Sequence, residues 1–213
     1  MYFEVSDGKS HLAAGLPHTP WLAIVAPRPI GWISTLSKDG VANLAPFSFF
    51  NGISSSPPML MFCPNSAHAE GGRKDSFVNA RDTGEFVHNV VTEDLLHRMN
   101  DSSAPAPRAV DEFEVAGVTK APSRIVKPAR VAESPVNVEC KVVKALELPS
   151  DEPGNMNTMI IGRVVAIHIR DDLIVDGRLD LALLRPLSRA GYLDYSGIRG
   201  LFELRRPTWP LGR

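Results

Sequence analysis

The chain has 213 residues, of which 44% are apolar and 22% are charged, proportions typical of globular proteins rather than of disordered, collagen-like or coiled-coil chains. Its 23 basic and 24 acidic residues give a net charge of −1, so no overall field favours nucleic acid or an anionic membrane as a partner. The 16 glycines and 18 prolines predict many turns and a β-rich fold. The length predicts a single domain over residues 1–213.

The amino-terminal residues and the cysteines predict the cellular compartment. Residues 1–7 carry two acidic side chains and lack the basic and apolar stretches of a secretory signal. The apolar runs are much shorter than the ~20 residues that cross a bilayer. Cys63 and Cys140 lie in strand-like apolar contexts, where free buried thiols are expected. We therefore expect a cytoplasmic protein that binds neither membranes nor nucleic acid.

The first predicted element is a β-hairpin. Two β-prone segments, residues 31–36 and 41–44, flank Ser37-Lys38-Asp39-Gly40, and Asp-Gly between such segments is typical of a hairpin turn. Residues 59–63 then form a continuous apolar run after Pro57-Pro58, a pair that cannot lie inside a helix. This run predicts a central strand.

Two short helices are predicted on either side of the next strand. Asp75 can cap a helix that Gly84 ends, and residues 85–91 follow as a strand. Thr92 can cap a second helix over residues 93–99, whose leucines and methionine share one face. These helices are too short to form a bundle and are expected at the periphery.

A loop region and two long strands complete the predicted fold. Residues 104–130 are rich in proline and alanine, which predicts loops. Residues 136–146 alternate apolar with polar side chains, which predicts Asn137 and Glu139 on the solvent side, and residues 159–169 continue the sheet. Five or more strands with two or three short helices indicate an antiparallel β-barrel with peripheral helices.

The carboxyl-terminal segment, residues 201–213, is more apolar than a free terminus usually is. Its large apolar side chains are Phe202, Leu204, Trp209 and Leu211. We expect this tail to dock on the barrel or on a partner subunit.

Several common site motifs are absent from the sequence. It contains neither a Rossmann G-x-G-x-x-G turn nor a P-loop, and neither a G-x-S-x-G nor an H-E-x-x-H hydrolase motif. The six histidines lack the close spacing of metal ligands, so no metal site is predicted.

Two stretches place small polar residues where a β protein is usually apolar, and a third stretch accompanies them. The three blocks are residues 27–35 with 43–51 (ending Asn43-Leu44-Ala45-Pro46-Phe47-Ser48-Phe49-Phe50-Asn51), residues 73–79 with 83–89 (beginning Arg73-Lys74-Asp75-Ser76), and residues 162–169 with 186–192. In this order they resemble the flavin reductase-like family of FMN-binding split barrels, which includes flavoredoxin and the reductase components of two-component monooxygenases.

The resemblance implies a fold, an activity and partners. The fold is mainly β, an antiparallel split β-barrel with a few short peripheral helices, and it forms a homodimer. The activity is an NAD(P)H-dependent flavin reductase with non-covalent FMN, which passes electrons to free flavin, to a monooxygenase or to another electron-acceptor protein. Two alternatives stay open: an FMN electron carrier like flavoredoxin, reduced by a protein partner, and a relative resembling pyridoxamine-phosphate oxidases.

The first block is expected to hold the flavin ring. That ring is a flat plate that needs an apolar slot and hydrogen-bond donors at the edge that gains negative charge on reduction. Read without the resemblance, Ser34 and Thr35 are ordinary strand residues, and Phe49 and Phe50 suit a core. With the resemblance, the expected ring contacts are Arg28, Ser34, Thr35, Asn43, Leu44, Ala45, Ser48, Phe49 and Phe50.

The second block is expected to hold the FMN phosphate. Arg73 and Lys74 stand just before a predicted helix start, where positive charge and free backbone N–H groups coincide. Asp75 opens the helix, and Ser76 adds a hydroxyl. Asn89 resembles a flavin contact of the family. The alternative for Arg73 and Lys74 is a solvated pair on a loop.

The third block supplies the expected catalytic residue. His168 is a polar ring inside an apolar strand, and the resemblance implies a position near the flavin and the nicotinamide. A core histidine with a satisfied hydrogen bond is the alternative. Arg189 is expected to contact the cofactor and, with Tyr192, to close the site across a dimer interface.

Overall fold

The computed structural model describes residues 1–209. Its strands are β1 (Arg28–Pro29), β2 (Gly31–Leu36), β3 (Ala42–Phe47), β4 (Phe50–Ser55), β5 (Pro58–Phe62), β6 (Glu85–Asn89), β7 (Lys120–Ala121), β8 (Arg130–Val131), β9 (Val136–Leu148), β10 (Asn157–Ile169), β11 (Ile174–Val175), β12 (Arg178–Leu179), β13 (Leu187–Gly191) and β14 (Asp194–Gly197). Its α-helices are α1 (Ser10–Ala13), α2 (Trp21–Ile24), α3 (Asp75–Thr83), α4 (Leu96–Asp101), α5 (Glu112–Val115) and α6 (Leu181–Leu184). Short 3-10 helices cover Glu93–Leu95 and Asp171–Leu173.

Seven strands form one antiparallel sheet in the order β3-β2-β6-β9-β10-β5-β4. Its two edge strands are close in sequence, because β3 ends at Phe47 and β4 begins at Phe50, and three residues span at most about 11 Å. The sheet therefore curls until its edges approach each other, but no ladder joins β3 to β4 and the sheet stays open. The prediction of a mainly β, antiparallel fold with few short helices is confirmed.

The predicted hairpin and the first predicted short helix are confirmed, apart from the residue that caps the helix. β2 pairs with β3 from Gly31 opposite Phe47 to Leu36 opposite Ala42, and Gly40 in the turn has φ +85°. Helix α3 ends where Gly84 adopts the left-handed conformation at φ +74°. Lys74 is the residue that precedes the helix, so Asp75 lies in the first turn rather than at the cap.

Both faces of the large sheet are buried around β2. Neighbouring side chains of a strand point to opposite faces, yet Trp32 and Ile33 are both fully buried. One face packs in a cluster with Leu44, Met99 and Phe113, under α4 and α5. The other face packs inside the curl, and its main residues are Ile33, Phe62, Phe77, Phe86 and Ile160. Phe77 belongs to α3, so this helix is attached to the inner core.

The predicted solvent side of β9 is wrong at two positions. Asn137 and Glu139 are buried, with Glu139 fully inaccessible. The loop over residues 123–131 covers them and donates backbone N–H groups to Glu139, so the alternation of the strand does not separate core from solvent here.

Three smaller sheets complete the described chain, with the orders β1-β13-β14, β7-β8 and β11-β12. After β14, Phe202 and Leu204 are exposed, and the described tail, residues 201–209, does not pack on its own barrel. Docking on a partner subunit stays a prediction, and Leu211 lies outside the described residues. Within residues 1–209, no helix combines the length and the apolar character that crossing a membrane requires.

Candidate functional site

A cleft opens where β3 meets the amino-terminal end of α3, and we call it the α3 cleft. Its cavity volume is about 110 Å³, smaller than the ~300–1,000 Å³ of typical small-molecule sites, so it encloses only part of such a ligand. Five predicted cofactor residues line it, namely Asn43, Ala45, Lys74, Asp75 and Ser76. The remaining wall comes from Pro46, Phe47, His68, Ala69, residues 102–106 and Glu112.

A buried hydrogen-bond network ties β3 to α3 at the edge of this cleft. The Asn43 Oδ1 atom accepts hydrogen bonds from the Ser76 hydroxyl at 2.7 Å and from the Thr35 hydroxyl at 3.2 Å. The Thr35 oxygen in turn accepts from the Asn79 amide at 3.2 Å. All four residues are buried, so the network fixes Asn43 and Ser76 rigidly against the cleft.

The positive end of the cleft lies at the start of α3. Lys74 lines the cleft, and its carbonyl accepts from the N–H groups of Phe77 and Val78. Within residues 1–209, no protein acceptor is found for the N–H groups of Asp75 and Ser76, as expected for the first turn of a helix. A lysine beside such N–H groups is a favourable place for an anion.

Arg73, in contrast to Lys74, does not line the cleft. Its guanidinium forms an ion pair with Glu147 on β9 and lies 5.9 Å from the centre of the Phe77 ring. The two adjacent basic residues therefore have different surroundings, and only Lys74 faces the α3 cleft.

Asp75 is held by two residues that the sequence did not single out. Its carboxylate forms an ion pair with Arg108, and its Oδ2 atom lies 3.4 Å from His68 Nε2. Arg108 also donates to the carbonyls of Gly71 at 2.6 Å and Arg73 at 3.2 Å. Burial, followed by the charge of Arg108, lowers the pKa of His68. Arg108 thus fixes the loop that leads into α3.

Glu112 places a second unpredicted charge in the cleft wall. It begins α5, which Asp111 caps by accepting the Phe113 N–H at 3.0 Å. Its Oε2 atom accepts the Leu44 N–H at 3.1 Å, and only 8% of the residue is exposed. Burial raises the pKa of Glu112, and hydrogen bonds from Leu44 and Asn43 offset part of this rise. No local sequence signal identifies this residue, because its contact with β3 spans 68 positions.

A second group of predicted residues meets around Arg28, outside the lining of the α3 cleft. The Arg28 guanidinium is buried, donates to the Leu22 and Val25 carbonyls, and lies 5.8 Å from the centre of the Phe49 ring. Its Nε atom donates to the Ser48 hydroxyl at 3.5 Å. Arg28 and Arg189 are opposite each other in the ladder between β1 and β13.

Four other predicted contacts lie in the core. Ser34 donates to the Ala129 carbonyl at 2.5 Å, and Leu44 is fully buried. Asn89 donates to the Trp32 carbonyl at 3.1 Å and accepts the Val131 N–H at 2.9 Å. The Phe50 ring centre lies 4.4 Å from that of His88. For Ser34 and Phe50 these contacts are the ones that the alternative interpretation describes, in which such residues pack the strands; contact of all four with a flavin stays a prediction.

His168 is likewise outside the lining of the cleft. Its Nε2 atom lies 2.6 Å from Glu139 Oε1, beneath the loop that covers β9. Burial opposes ionisation of Glu139, but N–H groups of residues 124–126 and His168 outweigh it and lower the pKa of Glu139 to about 2. His168 therefore has the satisfied partner that the alternative interpretation describes.

His88 has no partner for one ring nitrogen. It is buried on β6, and within the described chain its Nδ1 atom has no hydrogen-bond partner. Burial lowers the pKa of His88 to about 3, so the ring is neutral at physiological pH. In the same described residues, no cluster of histidine, cysteine or acidic side chains has the arrangement of a metal site.

Known proteins are similar to this chain in sequence and in fold. The chain is 38% identical over 187 residues to an uncharacterized protein of Halalkalibacterium halodurans, covering 88% of this chain and 89% of the relative. Nitrilotriacetate monooxygenase component B from Bacillus cereus superposes with a TM-score of 0.85 at 28% identity, covering 96% of this chain and 98% of the other.

A second solved structure bears on the fold alone. A protein with a split barrel domain from Shewanella frigidimarina superposes with a TM-score of 0.79 at 22% identity, covering 97% of this chain and 99% of the other.

The sequence model of the flavin reductase like domain matches residues 25–182. The chain therefore belongs to the flavin reductase-like family.

Proposed function

We propose that this protein is an FMN-binding, NAD(P)H-dependent flavin reductase built on a split β-barrel. The observation that carries the proposal is the positive end of the α3 cleft, where Lys74 lies beside the free N–H groups that begin α3. A phosphate monoester is the anion that this combination favours. Family membership makes a flavin phosphate the natural candidate.

The residues present in the cleft fit such a cofactor. Lys74, the first-turn N–H groups of α3 and the adjacent Ser76 would hold the phosphate. Ala45, Pro46 and Phe47 give an apolar wall of the kind a flat ring requires. Asn43, fixed by Ser76 and Thr35, supplies a polar group in a rigid orientation. The catalytic role that the resemblance implies for His168 stays a prediction, since its ring lies outside the lining of the α3 cleft and contacts Glu139.

The chemistry needs little from the protein beyond position. A bound flavin supplies the ability to accept a hydride and pass electrons on, so the chain must bind the ring, orient it and limit water. The Asn43–Ser76–Thr35 network provides the orientation. Arg108 holds the loop of residues 71–75 that forms the phosphate end.

We further propose that the working form is a homodimer. Val165, Ile167 and Ile169 occupy alternate positions of β10 and are 37%, 57% and 39% exposed. Alternate residues share one face of a strand, so they form an apolar row that association covers. In that dimer we assign to Arg189 and Tyr192 the closure of the site across the interface.

The electron acceptor is proposed to be free flavin or a monooxygenase. The similarity to component B of a monooxygenase supports this choice, since that protein's name makes it one component of a monooxygenase. An electron-carrier role, in which a protein partner rather than NAD(P)H reduces the flavin, is separated from it by the experiment below.

The test is the visible absorbance spectrum of the purified protein before and after anaerobic addition of NADH and then NADPH. A yellow protein that either nucleotide bleaches within seconds is the expected result, and the faster nucleotide identifies the preferred one. A yellow protein that stays oxidised supports the carrier instead. A protein that gains no flavin spectrum when FMN is added overturns the proposal.

A further inference from the structure

Besides the apolar row on β10, two other apolar surfaces are exposed within residues 1–209, and neither takes part in the α3 cleft. One is the described tail, in which Phe202, Leu204 and Trp209 are 91%, 88% and 87% exposed. The other is a groove of about 600 Å³ between the amino-terminal segment and α2, which we call the N-terminal groove. Its apolar lining includes Phe3, Val5, Pro20, Trp21, Leu22 and Ile24.

We infer that the tail of one copy docks into the N-terminal groove of a second copy. Exposed apolar side chains clustered at this density mark interaction sites in folded proteins. Trp21 and Ile24 in the groove are 57% and 70% exposed, so the groove, like the tail, lacks a cover. Docking one on the other removes both surfaces from water at the same time.

Charge supports this particular pairing. The N-terminal groove carries Asp7 and Asp151 in its lining. The tail carries Arg205 and Arg206 directly after Leu204 and one acidic residue, Glu203, before it, and all three charged residues are exposed. If the tail lies in the groove, its arginines can come close to the carboxylates at the edge of the groove. Such opposite charges set the register and orientation of two surfaces at an interface.

The position of the groove also suits exchange between copies. α2 packs on the hairpin of β13 and β14 near its turn, where Gly191 lies against Ala23. The tail leaves the same hairpin at its opposite end, after Gly197 pairs with Leu187. In a two-fold symmetric dimer, the tail of each copy would occupy the N-terminal groove of the other, so the same contact forms twice. The inference rests on the proposed homodimer and does not depend on the flavin.

The test uses cross-linking between two full-length populations. One carries a size tag and Ile24→Cys in the groove, the other is untagged and carries Leu204→Cys in the tail. The native Cys63 and Cys140 are both buried, which keeps the background low. The populations are co-expressed, oxidised mildly and separated on a gel without reductant. The matched control replaces Ile24→Cys with Ile125→Cys, an isoleucine that is 55% exposed and outside the groove.

A tagged-plus-untagged band at least tenfold stronger with Ile24→Cys than with Ile125→Cys is the expected result. Reversing the charge with Arg205→Glu and Arg206→Glu should weaken that band at least fivefold, and adding Asp151→Arg should restore part of it. A cross-link that forms only within one chain, in the double variant Ile24→Cys with Leu204→Cys, overturns the inference, as does a band no stronger than the control.

Light scattering of the native protein separates this inference from the proposed dimer. A dimer mass without the specific cross-link contradicts tail exchange alone and leaves the dimer standing. A monomer mass contradicts both. Bleaching of the flavin by NAD(P)H is measured separately and decides neither.

Discussion

The α3 cleft and the covered face of β9 each contain a buried glutamate. The protein directs different numbers of hydrogen-bond donors at the two carboxyl groups, and their pKa values shift in opposite directions. Glu112 in the cleft receives the Leu44 N–H, and burial raises its pKa. Glu139 on β9 receives three backbone N–H groups and the His168 ring, and its pKa falls to about 2. Burial alone therefore does not decide the charge of a carboxyl group; the number of donors aimed at it does.

The difference also separates a structural carboxylate from one that faces a site. Glu139 has all its donors from residues 124–126 and His168 and is closed to solvent, so it serves to attach a loop to the sheet. Glu112 lines an open cleft beside Asn43. A carboxyl group with a raised pKa in a cleft is typical of a functional position, and one with saturated donors is typical of a structural one.

The largest effect is expected from Glu139→Ala. The change leaves three backbone N–H groups, one of them fully buried, and the His168 ring without their acceptor, which should lower the free energy of unfolding by roughly 3–5 kcal/mol. Urea unfolding followed by circular dichroism measures it. Glu114→Ala, at an exposed position of α5, is the control and should stay within about 0.5 kcal/mol of the native protein. If the two variants had equal free energies of unfolding, the structural role of Glu139 would be contradicted.

The next effect is the dependence of stability on pH. Because the pKa of Glu139 is lowered in the folded protein, its contribution is present above the unfolded pKa of ~4.5 and is lost as pH falls toward 2. The loss amounts to about 3 kcal/mol. The raised pKa of Glu112 has the opposite effect on the free energy of unfolding. The folded state holds the Glu112 proton more firmly than the unfolded state, so this residue favours folding as pH falls. Urea unfolding at pH 7, 5, 4 and 3 should show a decline that Glu139→Gln flattens and Glu112→Gln steepens.

The same contrast explains what the sequence could predict. The hairpin of β2 and β3 follows from local turn chemistry, and α3 ends at Gly84 because that residue tolerates the left-handed conformation. Alternation predicts that Glu139 faces solvent because it assumes one open face of the strand, whereas a loop distant in sequence covers this residue. The clamp of Asp75 by Arg108 joins residues 33 positions apart. Contacts of that kind have no period in sequence.

Among the candidate site residues, those at helix and strand ends lie where the sequence predicts them, although their role as cofactor contacts stays a prediction. Lys74 and Ser76 flank the start of α3, so their place at the cleft follows from the helix boundary itself. Arg73 shares the local sequence but turns to Glu147 on β9, a choice that only the tertiary fold makes. His168 has its partner Glu139 on a neighbouring strand, a contact that likewise only the tertiary fold makes, and its catalytic role stays a prediction.

Binding of FMN should separate Lys74 from Arg73. Lys74→Ala removes the cation of the cleft and should weaken FMN binding by about 10- to 100-fold, the usual worth of a charge-assisted hydrogen bond to phosphate. Arg73→Ala should weaken it less, because that guanidinium is paired with Glu147. Lys144→Ala, on the exposed side of β9, is the neutral control. Quenching of FMN fluorescence and flavin retention on gel filtration measure all three. Unchanged retention in Lys74→Ala would count against the phosphate assignment.

The smallest effect on stability is expected from Glu112→Gln, and it completes the contrast with Glu139. An amide oxygen can still accept the Leu44 N–H at 3.1 Å, so the free energy of unfolding should change by less than about 1 kcal/mol. Glu139→Gln must place an NH2 group next to hydrogen-bond donors. It should therefore lower the free energy of unfolding by more than Glu112→Gln does, about 1–3 kcal/mol. The two variants are the same chemical change at two buried sites, compared by urea unfolding at pH 7. If their effects were equal, the number of donors around a buried carboxyl group would not be what distinguishes the α3 cleft from the covered face of β9.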